Sequence, residues 1–120
     1  MPREFSRSQR LGTQILRTLS ELLRFETKDP RLEGISLTSV ELSRDLSVAR
    51  IYFSLLNLDD SPLPAIEGLD RASGFLRTKL ASAIKIRHTP QLRFIHDDSA
   101  AASAKISKLI DSALQADRHR

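Results

Sequence analysis

The sequence contains no cysteine and no tryptophan, and only six of its 120 residues are aromatic. Without thiols, the chain can form no disulfide scaffold, thiolate metal site or cysteine nucleophile. No apolar run approaches the roughly 20 residues of a membrane-spanning helix, and the N-terminal residues lack the apolar core of a secretory signal. These absences predict a soluble, cytoplasmic protein that makes no use of a membrane.

The residues that usually mark an enzyme are also sparse. The four glycines are scattered and form neither a GxGxxG nor a Walker pattern, so no phosphate-cradling loop is predicted. The cluster His96-Asp97-Asp98 is the only one with metal-like residues, and helix capping accounts for both carboxylates. No spacing of Ser, His and acid suggests a triad. We therefore predict no catalytic residue, no metal, no cofactor and no enzymatic activity.

Positive charge, in contrast, is concentrated in one stretch, from Arg71 to His96. This stretch has six Lys or Arg and no Asp or Glu, whereas the rest of the chain sums to a negative charge although the whole is +4. The six cations, which are the predicted RNA-binding residues, are Arg71, Arg77, Lys79, Lys85, Arg87 and Arg93. A solvated helix surface is the plainer interpretation. The absence of acids favours a surface that contacts phosphates instead.

Apolar spacing predicts the elements outside this stretch. A capping box, Ser6 to Gln9, opens a helix that runs to about Phe25. A hairpin follows, in which a phase shift near Ser39 predicts a β-bulge, and the return strand alternates cleanly. Residues 91–96 form a third short strand. A final helix is predicted to turn five apolar residues inward: Ala102, Ile106, Leu109, Ile110 and Ala113.

Within the basic stretch, Gly74 interrupts a helical pattern. Because glycine is costly inside a helix and often marks a kink, we expect two helices with a bend at Ala72-Ser73-Gly74. The element order is then α-β-β-α-(kink)-α-β-α. This order predicts one α+β domain over residues 1–120, frayed at 1–5 and 115–120, with helices on one face of a three-stranded sheet.

The pattern also limits how a nucleic acid would be bound. Small residues among the cations would let a phosphate backbone approach closely, whereas Tyr52 alone is predicted on the outer sheet face, too few aromatics for a stacking platform. We therefore expect recognition of RNA shape and phosphates. On the first helix, Arg10, Arg17 and Arg24 recur every seven residues. This stripe is either a solvated face or a second RNA contact.

Several motifs, in this order along nearly the whole chain, resemble the bacterial ribosome-binding factor A family. The matching pieces are Phe5, Gln9-Arg10, Lys28-Asp-Pro-Arg-Leu32, Val40-Glu-Leu-Ser-Arg-Asp-Leu46, Ala49-Arg-Ile-Tyr-Phe-Ser54, Ala72-Ser-Gly-Phe75, Leu92-Arg-Phe94 and Asp97-Asp-Ser99. The resemblance implies a type II KH-like fold in which an interhelical Ala-x-Gly kink replaces the usual GxxG loop. Some members of the family carry a longer C-terminal tail, whereas this sequence ends at Arg120.

The resemblance also implies a function. Members of the family bind the free 30S ribosomal subunit, assist late maturation of its 16S rRNA, including the 5′ end, and matter in cold adaptation. A non-enzymatic, monomeric assembly factor is thus the first hypothesis. A protein-binding adapter, whose basic helix face meets an acidic partner, is the alternative. A nuclease that trims rRNA is a third, which the missing metal constellation disfavours.

Overall fold

The computed structural model describes residues 7–99, 106 and 109–110. Between residues 7 and 98, two helices, α1 (Arg7–Phe25) and α2 (Leu63–Ala83), accompany three strands, β1 (Ile35–Leu42), β2 (Val48–Leu55) and β3 (Gln91–His96). A short 3₁₀ turn, Pro30–Leu32, follows α1. In the described part of the chain, no helix is long and apolar enough to cross a membrane. The predicted α+β class and the bounds of the third strand are confirmed.

The sheet has the order β1-β2-β3. β1 and β2 form an antiparallel hairpin, whose register shifts between Leu37 and Ser39, so the predicted bulge is confirmed. β3 pairs with β2 in parallel, which requires a crossover, and α2 supplies it. This topology is consistent with the KH-like fold that the family resemblance implies.

The core lies between the sheet and both helices, on one side of the sheet. Strands expose every second side chain, and the inward ones here are Ala49, Ile51, Phe53 and Leu92. Both helices contribute to the same core, through Ile15, Leu19, Leu22, Leu76 and Leu80. The other sheet face bears the outward residues of the strands. The prediction of helices on a single face is confirmed.

Two glycines lie where the helices meet this framework. A Cβ on Gly12 would lie 3.6 Å from the carbonyl oxygen of Val40, an ordinary van der Waals distance, so α1 packs directly on β1 at this point. A Cβ on Gly68 would lie 3.0 Å from a methyl group of Leu32, so the N-terminal half of α2 packs on the 3₁₀ turn. In that turn the Arg31 guanidinium lies 2.7 Å from Asp29 and lowers the pKa of its carboxyl group.

The predicted division of the basic stretch into two helices is wrong. α2 continues without a break through Ala72, Ser73 and Gly74. One glycine costs a helix only about 1 kcal/mol relative to alanine. Burying a leucine gains about 1.5–3 kcal/mol, and two leucines beyond Gly74, Leu76 and Leu80, are fully buried. Burial therefore outweighs the cost of the glycine and keeps the helix whole.

The predicted inner face of the final helix is also partly wrong. Ser99, Ile106, Leu109 and Ile110 are helical, but the three apolar side chains are exposed. The reason is that α1 and α2 already close the apolar face of the sheet. Ser6, Ala102 and Ala113, together with the termini 1–5 and 115–120, lie outside the described residues, so the predictions made for them stay predictions.

The turn of the hairpin yields a prediction about pH. Asp45 accepts hydrogen bonds from the hydroxyl groups of Ser43, at 2.8 Å, and Ser47, at 2.7 Å, and from the Ser47 N–H. These bonds stabilise the carboxylate and lower the pKa of Asp45 from 3.8 to about 2. Because the folded pKa is depressed, the stabilisation is present above the ordinary value and is lost as the pH falls through about 2.

A titration by NMR of the Asp45 carboxyl carbon is expected to give a midpoint near 2. In the variants Ser43→Ala and Ser47→Ala the midpoint should rise, since each removes one of the donors that stabilise the charged form. A wild-type midpoint at the ordinary value for aspartate would contradict the hydrogen bonding described for this turn.

Candidate nucleic-acid interface

The basic side chains of the predicted site fall on two different layers of the molecule. Arg71, Arg77 and Lys79 project from α2, and Lys85 and Arg87 from the loop after it; all five are exposed. Arg93 is exposed on β3, where it stands beside Arg50 of β2 in the parallel register. Since its neighbour Leu92 faces the helices, Arg93 points from the opposite face of the sheet. The structure therefore separates Arg93 from the other five.

Arg77 has a role within the fold. Its guanidinium donates two hydrogen bonds to the backbone of the loop, from Nε to the carbonyl oxygen of Pro90 at 3.2 Å and from Nη2 to that of Thr89 at 2.8 Å. Pro90 is buried and immediately precedes β3. Arg77 thus ties the loop to α2 and fixes where β3 begins, which the sequence did not reveal.

This role gives a prediction about stability. Hydrogen bonds that involve a charged group contribute about 1.5–3 kcal/mol each when protected from water, and less where solvent competes. We therefore expect Arg77→Ala to lower the free energy of unfolding by about 1–2 kcal/mol. Urea denaturation followed by circular dichroism measures this.

The control is Arg87→Ala, because Arg87 is also exposed and, among the described residues, makes no hydrogen bond or ion pair within the chain. We expect that change to stay within about 0.5 kcal/mol of the wild type. Equal effects of the two variants would mean that the bonds of Arg77 to the loop contribute nothing to stability.

Lys79 is also held by neighbours. Its Nζ lies 3.5 Å from Oε2 of Glu26, just beyond the end of α1, and 5.7 Å from the centroid of the Phe75 ring. The ion pair is about half exposed on both sides, and such pairs contribute little to stability. Lys79 can therefore exchange this partner for another anion at small cost.

A cleft of about 690 Å³ lies between the outer side of α2 and the loop that Arg77 holds. Its walls are made of Gly74, Arg77, Thr78, Ala81, Ser82, Arg87, His88 and Thr89. None of these residues is acidic, and those contributed by the helix, Arg77 aside, are small. The cleft thus combines room for a ligand with two arginines and no opposing charge, which suits a phosphate group.

Gly74 lies in this cleft, and the fold does not explain why it is glycine. Its φ angle is not positive, and a Cβ built on it would meet no atom within 4 Å. Gly68, earlier in the same helix, has a packing reason that Gly74 lacks. An exposed glycine inside a helix leaves the backbone open to a partner that comes close, as a phosphate backbone does.

The first helix offers a second set of charges on the same side of the molecule. Arg10, Arg17 and Arg24 are exposed along α1, opposite its buried residues. Among the described residues, no ion pair links Arg17 or Arg24 with Glu21, so the charge pairing of a solvated face is not seen. The outer surfaces of α1 and α2 share the helical layer, so the stripe of α1 and the basic side chains of α2 lie on the same layer.

Comparisons with known proteins identify a family and several relatives of this chain. The family described as "Ribosome-binding factor A" matches residues 7–110. The chain is 46% identical to ribosome-binding factor A of Thioalkalivibrio sulfidiphilus, over 98% of this chain and 92% of the relative. It is also 46% identical to that of an Azoarcus species, over 100% of this chain and 97% of the relative.

Solved structures agree with the sequence relatives. The crystal structure of ribosome-binding factor A from Thermus thermophilus superposes with a TM-score of 0.68 at 30% identity, covering 74% of this chain and 93% of the other. A homology model of the Thermus thermophilus protein, fitted into the cryo-EM map of a complex with the 30S subunit, gives a TM-score of 0.59 at 31% identity, covering 70% of this chain and 88% of the other.

Proposed function

The chain belongs to the ribosome-binding factor A family, and on that premise we propose that it binds the free small ribosomal subunit through its helical layer. The observation that carries the proposal is the cleft beside Gly74, where the backbone of α2 lies open among basic and small side chains and no acid. Such a surface contacts the RNA backbone, releases counterions and gives affinity without reading base sequence.

Within this surface, we assign different roles to the predicted residues. Arg71, Lys85 and Arg87 contact phosphates, because they project freely into solvent from α2 and the loop. Arg77 shapes the cleft and keeps part of its charge available, and Lys79 joins when it releases Glu26. Arg93 faces away and takes no part in the same contact. The stripe Arg10, Arg17 and Arg24 extends the surface along α1.

We further propose that the bound RNA is 16S rRNA, including its 5′ end region, and that binding assists late maturation in the cytoplasm, with a particular need in the cold. The protein acts here without catalysis and as a monomer. A surface that fits one rRNA arrangement better than another shifts the population toward it, by no more than its differential affinity. Misfolded RNA helices rearrange more slowly in the cold, so such a shift then matters most.

The test is co-sedimentation of the full-length protein with purified small subunits across a series of salt concentrations. The logarithm of the binding constant should fall linearly with the logarithm of salt concentration, with a slope set by the number of phosphate contacts. A binding constant that does not change with salt concentration would contradict the proposal.

Two further measurements separate the alternatives. An adapter for an acidic protein would keep its partners in an extract after RNA digestion, whereas the proposed factor loses them. A nuclease would cleave precursor rRNA incubated with the purified protein, and no cleavage is expected. A basic cleft without acidic residues attracts an acidic protein as well as RNA, so the digestion experiment decides between the adapter and the proposed factor.

Gly74→Ala tests the close approach of RNA to α2. The added methyl group enters open space, so we expect the free energy of unfolding to stay constant or to rise by up to about 1 kcal/mol, the difference in helix propensity. Binding to small subunits should nevertheless weaken severalfold, because the methyl group lies in the cleft. Urea denaturation and co-sedimentation measure the two effects.

This variant is informative because it is expected to weaken binding to small subunits without lowering the free energy of unfolding. A glycine needed by the fold would lower stability on substitution, and a glycine without any role would leave binding intact. Wild-type affinity in a stable Gly74→Ala variant would show that RNA does not come close to the helix backbone at this point.

A further inference from the structure

Two phenylalanine rings lie exposed on the helical layer. Phe25, at the end of α1, is 72% exposed, and Phe75, in the middle of α2, is 42% exposed. The chain has five phenylalanines, and among the described ones Phe53 and Phe94 pack in the core region instead. Packing in the core therefore accounts for Phe53 and Phe94, whereas it does not account for the exposed rings of Phe25 and Phe75.

Each exposed ring has a cation beside it. The guanidinium carbon of Arg24 lies 5.1 Å from the centroid of Phe25, and Nζ of Lys79 lies 5.7 Å from the centroid of Phe75. Lys79 also meets Glu26, the residue after Phe25. The ion pair thus joins the end of α1, which carries Phe25, to the middle of α2, which carries Phe75. These five residues are here called the aromatic patch (Arg24, Phe25, Glu26, Phe75 and Lys79).

The aromatic patch adjoins the cleft that we assign to phosphates. Phe75 does not line the cleft, but Thr78 does, and residues three apart on a helix are surface neighbours, so the ring lies beside the rim of the cleft on α2. An RNA strand whose phosphates contact the cleft and Arg71 would pass the ring with its bases within reach. Flat apolar rings beside cations are the elements with which proteins hold unpaired nucleotides, since each base has a face for stacking and a phosphate for the cation.

We propose that the aromatic patch stacks unpaired bases of the RNA whose backbone the cleft contacts. This inference rests on the proposed function and refines it, because it selects RNA with a single-stranded segment over a continuous duplex. Bases within a duplex are already stacked on each other and cannot cover Phe25 or Phe75. RNA is the occupant that fits both features, since the rings with Arg24 and Lys79 suit bases and their phosphates, and the neighbouring cleft suits the same backbone.

The experiment compares two probes with the full-length protein. One is a single-stranded adenosine RNA of roughly 10 nucleotides, within the range that single-strand-binding folds occupy, with one 2-aminopurine. The other is the same strand in a duplex. We expect 2-aminopurine fluorescence to be quenched on binding of the single strand, and Phe25→Ala and Phe75→Ala each to weaken that binding about tenfold. Duplex binding should be unchanged.

Conservative variants separate stacking from general apolar contact. Phe25→Tyr keeps a ring and should keep the affinity, whereas Phe25→Leu keeps an apolar side chain and should lose it. Leu63→Ala is the control for an exposed apolar residue on α2, since Leu63 is 65% exposed and lies at the start of the helix, away from the patch. Circular dichroism confirms that each variant is folded.

The outcomes distinguish this inference from the proposed function. If the wild type binds both probes and small subunits, but neither phenylalanine variant changes the binding of the single strand, the aromatic patch does not stack bases while the proposed function stands. Base stacking is equally contradicted if the phenylalanine variants bind the single strand and the duplex more weakly to the same extent. It is also contradicted if these variants instead lose a protein partner that survives RNA digestion. If the wild type binds neither probe nor subunits, the proposed function itself fails.

Discussion

Replacing Arg71, Lys85 and Arg87 together with alanine is expected to weaken binding to the small subunit about a hundredfold at physiological salt. Each phosphate contact releases one counterion, which contributes roughly fivefold to the binding constant at that concentration. The slope of the logarithm of affinity against the logarithm of salt should also fall by about one for each charge removed. All three side chains are exposed, so the fold should remain intact.

The matched control removes the same number of charges elsewhere. Arg44, Arg50 and Arg93 lie in the hairpin turn and on the strands, away from the helical layer, and all are exposed. The ion pair of Arg50 with Glu41, at 3.1 Å, is exposed and contributes little to stability. We expect this triple variant to lose affinity only slightly, through the general reduction in charge. Equal losses in the two variants would mean that binding does not select the helical layer.

Leu80→Ala is expected to lower the free energy of unfolding by about 3–5 kcal/mol, the upper part of the range for a buried leucine. Leu80 is fully buried in the core that α1, α2 and the sheet share. A typical domain is stable by only about 5–15 kcal/mol. The variant should therefore be partly unfolded near the growth temperature and lose subunit binding with its fold.

Leu63→Ala is the control for this prediction, because it makes the same substitution in the same helix at an exposed position. Its effect should stay within about 0.5 kcal/mol. Urea denaturation followed by circular dichroism measures both variants, since the chain has no tryptophan for fluorescence. A small effect of Leu80→Ala would mean that α2 is not held by its buried face.

The strands could be predicted in detail because their information is local. The return strand alternates so regularly that Ile51 and Phe53 could be placed inward and Arg50 outward from the sequence alone, as the structure has them. A one-residue slip turns every side chain to the other face, so the phase shift around Ser39 could mean only a bulge, and the structure has it there.

The division of the basic stretch into two helices at Gly74 is the wrong prediction, because the local cost of the glycine is real but small. Helix propensity favours a break at this position, and the burial of Leu76 and Leu80 against distant parts of the chain overrides it. The apolar spacing of Ile106 and Leu109 misleads in a similar way. Spacing shows which residues share a helix face, whereas burial requires a partner surface, and α1 and α2 have already covered the available one.

The candidate site, too, could be predicted from the sequence only in part. The acid-free run of cations from Arg71 could be recognised from the sequence, because charge is a property of each residue. The contacts that these cations make within the folded chain could not be predicted. Arg77 donates hydrogen bonds to carbonyl oxygens 12 and 13 residues away, and Lys79 forms an ion pair with Glu26, just beyond the end of α1. The exposed ring of Phe25 could not be singled out either, since it ends the apolar spacing that predicts α1.

The sequence alone determined the family, the α+β class, the strand phases and the place where positive charge is concentrated. All of these depend on residue type and on spacing within one element. Only the tertiary structure decided that α2 is unbroken, that Arg93 lies on the opposite face, that Arg77 holds the loop and that Lys79 joins α2 to Glu26, next to Phe25. Those features depend on which distant residues compete for the same space and the same hydrogen bonds, and that competition is settled only when the chain has folded.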